Sequence, residues 1–203
     1  MLRYAITSRA LNPGDEDEKQ AALLRLASRW AADGIDLIQL REKDLPTGAI
    51  AALAGKILKT ISLEAATTKL LINSRCDIAI ATRAHGVHLT SEPNQRTPTQ
   101  IRRLYALAEL QRPIITISCH TLDEVRRARE DQVDAILFAP VFEKELSDNQ
   151  IIPGHGLDRL HAICAAASPV PVFALGGVTL ENAGACVAAG AAGIAGIRLF
   201  HSS

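Results

Sequence analysis

Two kinds of residue in this sequence are spaced for chemistry: one imidazole at the end of an apolar run, and glycines at the ends of two others. His120 stands in Ser118-Cys119-His120-Thr121, directly after the run Pro113 to Ile117 and directly before a helix-start pattern, Thr121 followed by Glu124. Backbone donors and a polar surrounding at such a junction can tune an imidazole for proton transfer, so His120 is the leading candidate for a general acid/base. A cap-region histidine bonded only to backbone is the plain alternative. The glycines lie in Ala174-Leu175-Gly176-Gly177-Val178-Thr179 and in Gly193-Ile194-Ala195-Gly196-Ile197-Arg198. Without side chains, Gly176, Gly177 and the end near Ile197 let backbone N–H groups approach a phosphate, helped by a helix N-terminus, and Arg198 can add a bidentate link.

Further polar residues fall at the ends of other apolar runs. In Gln39-Leu40-Arg41-Glu42-Lys43 a period of two sends Gln39, Arg41 and Lys43 to one face, which places two cations beside any anion bound there. A solvated charged loop would give the same spacing. In Asn73-Ser74-Arg75, with Asp77 following, Asn73 can hydrogen-bond a ligand, whereas Ser74 and Asp77 read as helix-cap residues. His88 alternates within its run and is expected in the interior.

The elements that must position these residues alternate. Strand-like runs cover Arg3 to Thr7, Asp36 to Leu40, Lys69 to Ile72, Gly86 to Leu89, Pro113 to Ile117, Asp134 to Phe138, Pro171 to Leu175 and Gly193 to Ile197. Between them lie the amphipathic, alanine-rich segments Glu16 to Ala32, Ala49 to Leu63, Cys76 to Thr82, Pro98 to Ala108, Leu122 to Asp131, Gly156 to Ala167 and Leu180 to Ala189. Such alternation specifies a parallel sheet with crossover helices, closed into a barrel or left open and doubly wound. The phrases Ala32-Asp33-Gly34-Ile35-Asp36, Thr82-Arg83-Ala84-His85-Gly86-Val87 and Ala188-Ala189-Gly190-Ala191-Ala192-Gly193-Ile194 repeat one helix-to-strand junction and favour the closed form. The expected fold is therefore a minimal α/β TIM (β/α)8 barrel, one domain over residues 1–203, with function at the C-terminal strand ends. No helix can follow the eighth strand, so the closing helix is expected to be missing or supplied by a second subunit. The apolar face at Ile197, Leu199 and Phe200 then points to a homodimer. The irregular stretch Glu143 to Gly156 is expected to form a loop over the site.

Composition narrows the classes of function. Lys plus Arg and Asp plus Glu both number 22, so no net field attracts nucleic acid or an anionic membrane. The apolar runs fall short of a membrane span. Cys76, Cys119, Cys164 and Cys186 lack C-x-x-C spacing, and Met1 to Thr7 lacks the layout of a signal peptide, which together lead to an expected reduced, cytoplasmic protein.

Taken in order, the motifs Gln39-Leu40-Arg41-Glu42-Lys43, Leu71-Ile72-Asn73-Ser74-Arg75-Cys76-Asp77-Ile78-Ala79, Gly86-Val87-His88-Leu89, Ser118-Cys119-His120-Thr121-Leu122-Asp123-Glu124, Ala139-Pro140-Val141-Phe142, Gly154-His155-Gly156 and Ala174-Leu175-Gly176-Gly177-Val178 resemble thiamine-phosphate synthase and its sister group, the TenI proteins. The resemblance spans nearly the whole chain. It implies a TIM barrel, a phosphate site near Gly177 and the eighth strand, and a role in thiamine biosynthesis, with Gln39, Arg41, Lys43, Asn73, Ser118, Gly154 and Gly156 lining the substrate. Synthases resemble N-D-R and H-L-G-Q-x-D after strands three and four, and those aspartates hold Mg2+ against pyrophosphate. Ser74 and Pro93 occupy the matching positions here, and neither is a charged metal ligand. The synthase stretch P-T-x-T-K is replaced by Glu143-Lys144-Glu145-Leu146-Ser147.

TenI proteins resemble N-G-R at the first position and S-x-H-S-L-E-E at the histidine, to which His120 corresponds. They are thiazole tautomerases that move a proton within a thiazole carboxylate phosphate without metal. The expectation is a metal-independent tautomerase acting on a small phosphorylated thiazole with no cofactor. The alternatives are a thiamine-phosphate synthase, which would need Mg2+, because Gln39, Arg41 and Lys43 follow the synthase pattern, and a non-catalytic binder of a phosphorylated ligand.

Overall fold

The computed structural model describes residues 1–64, 67–91, 95–145 and 151–201. Eight strands close a parallel barrel: β1 (Leu2–Ile6), β2 (Leu37–Leu40), β3 (Lys69–Asn73), β4 (Gly86–Leu89), β5 (Ile114–Cys119), β6 (Ala135–Phe138), β9 (Val172–Ala174) and β10 (Gly193–Gly196). Each neighbours the next in chain order and β10 pairs with β1, so the expected TIM barrel is the fold observed. The helices are α1 (Glu16–Ala32), α2 (Thr47–Leu63), α3 (Cys76–Ala81), α4 (Pro98–Leu107), α5 (Leu122–Glu130), α6 (Leu157–Ala167) and α7 (Ala183–Ala188).

Local chemistry sets several helix starts. Thr121 accepts from the Glu124 backbone while Glu124 accepts in return, the reciprocal pair expected from the sequence, and Asp15 with Glu18 and Thr97 with Gln100 do the same for α1 and α4. The helix expected from Leu180 begins at Ala183. Thr179 and Asn182 hydrogen-bond each other's backbone N–H groups and hold residues 179–182 as a turn.

Strand alternation divides the apolar residues into two cores. Outward residues such as Ala5, Ile38, Leu70, Ile72, Val87 and Ile136 pack under the helices, while Tyr4, Ile6, Leu71, Ala135, Leu137, Phe173 and Ala195 fill the interior. Tyr4 meets Phe173 edge-on at a centroid distance of 5.4 Å. The lower interior is packed solid, so a ligand can enter only from the mouth, where buried polar residues begin: Gln39, His88 and Thr116.

Two expectations about the periphery change. Among the described residues no helix follows β10, yet Phe200 is only 4% exposed, and Trp30 Nε1 donates to its carbonyl at 2.7 Å. Leu199 packs against the outer core and Ile197 against the inner one. The chain covers this face with its own α1, and the apolar argument for a second subunit there loses its basis. The stretch from Glu143 to Gly156 is partly regular, with β7 (Lys144–Glu145) pairing antiparallel with β8 (Ile151–Ile152). Its residues 146–150 lie outside the described ones. Among the described residues no helix is long and apolar enough to cross a membrane.

Candidate active site

His120 is the first residue after β5, exposed at the mouth. Its Nδ1 lies 2.8 Å from the Ala139 carbonyl oxygen. A carbonyl can only accept, so Nδ1 carries the proton and Nε2 is left as the ring nitrogen that can take one. The His120 backbone N–H donates to Glu124 Oε2 at 2.6 Å, which ties the residue to the first turn of α5. The backbone-bonded cap histidine and the acid/base candidate therefore coincide in one side chain: the backbone bond orients the ring without consuming the nitrogen that would react. Adjacent Cys119 is buried, and desolvation pushes its thiol up to about 12, so it stays protonated and is no rival nucleophile.

Three segments stack beside this ring. The Val141 N–H donates to the Leu175 carbonyl at 2.9 Å and the Phe142 N–H to the Gly176 carbonyl at 3.0 Å, while His155 and Gly156 N–H groups donate to Pro140 and Val141, both at 2.9 Å. The approach is too close for side chains: a Cβ on Gly176 would lie 2.7 Å from Pro140 Cα, and one on Gly177 would lie 2.5 Å from the Glu143 carbonyl oxygen. Both glycines also take positive φ, +89° and +63°. Gly154 is needed for the same packing, since its Cβ would meet the Phe142 backbone at 2.5 Å. Packing between the β6 and β9 ends, as much as ligand approach, is thus what requires glycine here.

The Gly176 carbonyl is taken by Phe142 and the Gly177 carbonyl by Asn182 Nδ2, while the N–H groups of Gly176, Gly177 and Val178 make no hydrogen bond to the described residues, and neither do those of Ile197 and Arg198 on the neighbouring strand end. Free N–H groups on two adjacent ends are the kind of donors that can receive an anion. Arg198 is exposed beside them. The short α7 begins only at Ala183, so the donors are loop amides, not the helix start that the sequence suggested. Because Ala139 holds His120 and the next residue, Pro140, underlies Gly176, imidazole and glycines share one rim.

Across the mouth, Gln39 points inward and is 1% exposed; its Nε2 donates to Asn73 Oδ1 at 2.8 Å, whose Nδ2 donates to Ser74 Oγ at 3.3 Å. Gln39 Oε1 is buried and has no partner among the described residues. Ser118 Oγ lies 3.0 Å from His88 Nε2, so the histidine expected in the interior is there. The expected alternation beyond Leu40 does not hold. The strand ends at Leu40, residues 43–44 turn, and Lys43 is exposed.

The cause is Arg9, which the sequence reading missed. Almost buried in the turn after β1, it binds Glu42 at 3.1 Å, Asp44 at 2.7 Å and Glu16 at 2.7 Å, and its guanidinium holds the Asp44 carboxyl down at about 2. The two acidic side chains turn back to Arg9, and the Thr7 hydroxyl accepts from the Arg41 N–H at 2.9 Å. Arg41 is left half-buried and without an ion pair among the described residues, close enough to His88 to bias its charge. The alternation of signs in Arg41-Glu42-Lys43-Asp44 was the available signal.

Where Mg2+ would be expected from the resemblance, the donors do not fit it. Asn73 and Ser74 stand at the β3 end, and Asp77 is bidentate to Arg75 at 2.9 and 2.5 Å, which holds its carboxyl below the usual range. Pro93 lies outside the described residues. A cavity of about 330 Å³ at the β3 and β4 ends, between the outer sheet face and α3 and α4, is lined by Cys76, Val87 and Leu89 and reaches Ser74 and Asp77.

Comparison with known proteins agrees with this fold. Residues 4–200 match the TMP-TENI family, described as thiamine monophosphate synthase. The "Putative thiamine-phosphate synthase 2" of Aquifex aeolicus is 36% identical over 198 residues, covering 97% of this chain and 96% of that protein. The "Thiamine-phosphate synthase" of Moorella thermoacetica is 33% identical over 84% of this chain and 77% of its own length. Among solved structures, the thiamine phosphate pyrophosphorylase of Pyrococcus furiosus superposes with a TM-score of 0.77 at 25% identity, over all of this chain and 88% of that one. With a barrel of this order, a family match over residues 4–200 and relatives at 33–36% identity matched over most of their lengths, the chain belongs to the TMP-TENI family of thiamine biosynthesis.

Proposed function

We propose that this chain is a metal-independent thiazole tautomerase. The observation that carries the reading is the shared rim: an imidazole whose Nδ1–H is fixed by Ala139, next to the Pro140–Gly176 packing, and free amides at Gly177 and Ile197 suited to a phosphate. The phosphate of a thiazole carboxylate phosphate would sit on the amides of Gly176, Gly177, Ile197 and Arg198. Arg41 would hold the carboxylate, and His120 Nε2 would take the ring proton and return it at the carbon where aromatisation needs it. Lys43, exposed in its turn, is dropped from the carboxylate site. Gly154 and Gly156 shape the rim through the Pro140 to Phe142 segment. The state of Ser74 and Asp77 supports a reaction that needs no metal-bound pyrophosphate.

A second reading rests on Gln39 Oε1. A buried acceptor without a partner calls for a ligand with an N–H group, which an aminopyrimidine has and a thiazole ring lacks. It favours a thiamine-phosphate synthase, the name several relatives carry. A paired assay separates the two. With the non-aromatic thiazole carboxylate phosphate alone, aromatisation far above the buffer rate is expected. With hydroxymethylpyrimidine diphosphate, thiazole phosphate and Mg2+, no thiamine phosphate is expected. Thiamine phosphate formed at an enzymatic rate, with no tautomerisation, would replace the first reading by the second, and binding without turnover in either would leave a non-catalytic binder.

The phosphate part is tested by Gly177→Ala. The new Cβ closes on the Glu143 carbonyl and demands positive φ, so the loop must shift and the amides lose their aim. Substrate KM is expected to rise about tenfold or more, with a loss of about 1–3 kcal/mol in stability. Unchanged KM would place the phosphate elsewhere.

A further inference from the structure

Three buried side chains below the mouth take no part in the reaction outlined above, yet they end on Ser118. Tyr4 on β1 and Thr116 on β5 are fully buried, and His88 on β4 is 3% exposed. The Tyr4 hydroxyl lies 3.0 Å from Thr116 Oγ1 and 3.5 Å from His88 Nδ1. Thr116 Oγ1 is 2.8 Å from His88 Nδ1, and His88 Nε2 is 3.0 Å from Ser118 Oγ. The chain has a closed end in the packed interior and an open end at the mouth.

Only one direction of donation satisfies the closed end. The acceptors that Tyr4 reaches among the described residues are Thr116 Oγ1 and His88 Nδ1. Were the protons to run inward, Ser118 would give to Nε2 and Nδ1–H to Thr116, and either the phenolic proton or the Thr116 hydroxyl proton would then be left buried with no acceptor among the described residues. Such a group is costly in a dry interior. With the protons running outward, the phenol donates to Thr116 and Thr116 to Nδ1, or the phenol donates to Nδ1 itself. On either path Nδ1 accepts, Nε2–H donates to Ser118 Oγ, and the Ser118 proton is left for whatever occupies the mouth. Burial, aided by the Arg41 charge, lowers the His88 pKa to about 3, so the ring is neutral and has a single proton to place.

We propose that Tyr4, Thr116 and His88 are positioning residues that turn the Ser118 hydroxyl proton toward the ligand, and thereby select a ligand with a lone-pair acceptor at the end of β5. A ring nitrogen or a carbonyl, carboxylate or hydroxyl oxygen fits that requirement, whereas an N–H group without a lone pair leaves the Ser118 proton unpaired. Gln39 Oε1, a buried acceptor across the same mouth, sets the opposite requirement at β2. The inference rests on the mouth being the binding site and holds for either reaction considered above.

The tautomer of His88 in the ligand-free protein decides it. Long-range ¹H–¹⁵N correlation spectra of histidine-labelled protein at neutral pH, with His88 assigned by its loss in His88→Gln, are expected to show a neutral ring protonated at Nε2. A ring protonated at Nδ1 would overturn the proposal, whichever reaction the protein runs. Tyr4→Phe combined with Thr116→Val removes both hydroxyl protons that can reach Nδ1. It is expected to populate the Nδ1–H form and to raise KM in the productive assay about tenfold while kcat changes less than about threefold. A folded double variant with His88 still wholly Nε2–H would remove Tyr4 and Thr116 from the device. Should that variant not fold, the wild-type tautomer remains decisive, and absence of turnover in both assays would count against the function without touching this result.

Discussion

His120→Asn is expected to lower tautomerase turnover by about 10² to 10⁴, the usual contribution of a placed general acid/base, while KM changes by less than about threefold. Asparagine is the informative replacement because its amide N–H can still donate to the Ala139 carbonyl where Nδ1 does, at 2.8 Å in the native protein. The packing of Ala139 and Pro140 against Gly176 is then kept, and only the basic nitrogen is lost. Stopped-flow or steady-state measurement of aromatisation, alongside a melting curve, checks the expectation. Turnover within a factor of a few of the wild type would take His120 out of the mechanism. A loss confined to KM would recast it as a binding residue.

The second large effect is acid lability centred on His88. Burial, with the nearby Arg41 guanidinium, lowers its pKa from about 6.5 in an unfolded chain to about 3 in the fold. Between those values the unfolded state binds the proton and the folded state does not, so stability falls as pH drops from about 6.5 toward 3 and is unaffected by this group above that range. At about 1.4 kcal/mol per unit, acidification to pH 4 costs about 3 kcal/mol from this residue, a large part of an ordinary domain's stability. His85, lowered by desolvation and by Lys69, acts in the same direction. Urea denaturation at several pH values should show the slope, and His88→Asn, less stable at neutral pH, should show a flatter one. Parallel slopes for the two proteins would mean that the imidazole is charged or solvated in the fold.

The same buried ring shows why part of the site was legible in the sequence and part was not. His120, Gly176 and Gly177 could be found by position, because a strand end followed by a helix cap or a glycine pair is a local pattern and the fold rule places function at those ends. His88 could be placed inside by alternation, but its role depends on Thr116, Ser118 and Tyr4, which lie 28, 30 and 84 positions away. Arg9 escaped for the same reason: it acts on residues 33 and 35 positions on, and no periodicity links them. Lys43 was misplaced because alternation was carried past the point where Arg9 pulls Glu42 and Asp44 back and ends the strand.

By itself the sequence determined the alternation of strands and helices, the capping pair at Thr121 and Glu124, and the residues standing at the strand ends, since hydrophobic period and cap chemistry act over a few neighbouring residues. Tertiary structure alone decided which nitrogen of His120 is free, why the paired glycines cannot carry side chains, and that Phe200 folds back under Trp30. Those outcomes come from groups meeting across the closed barrel, where a hydrogen bond or a contact within 3 Å depends on all eight strands being in register. No local pattern in the chain encodes such distances.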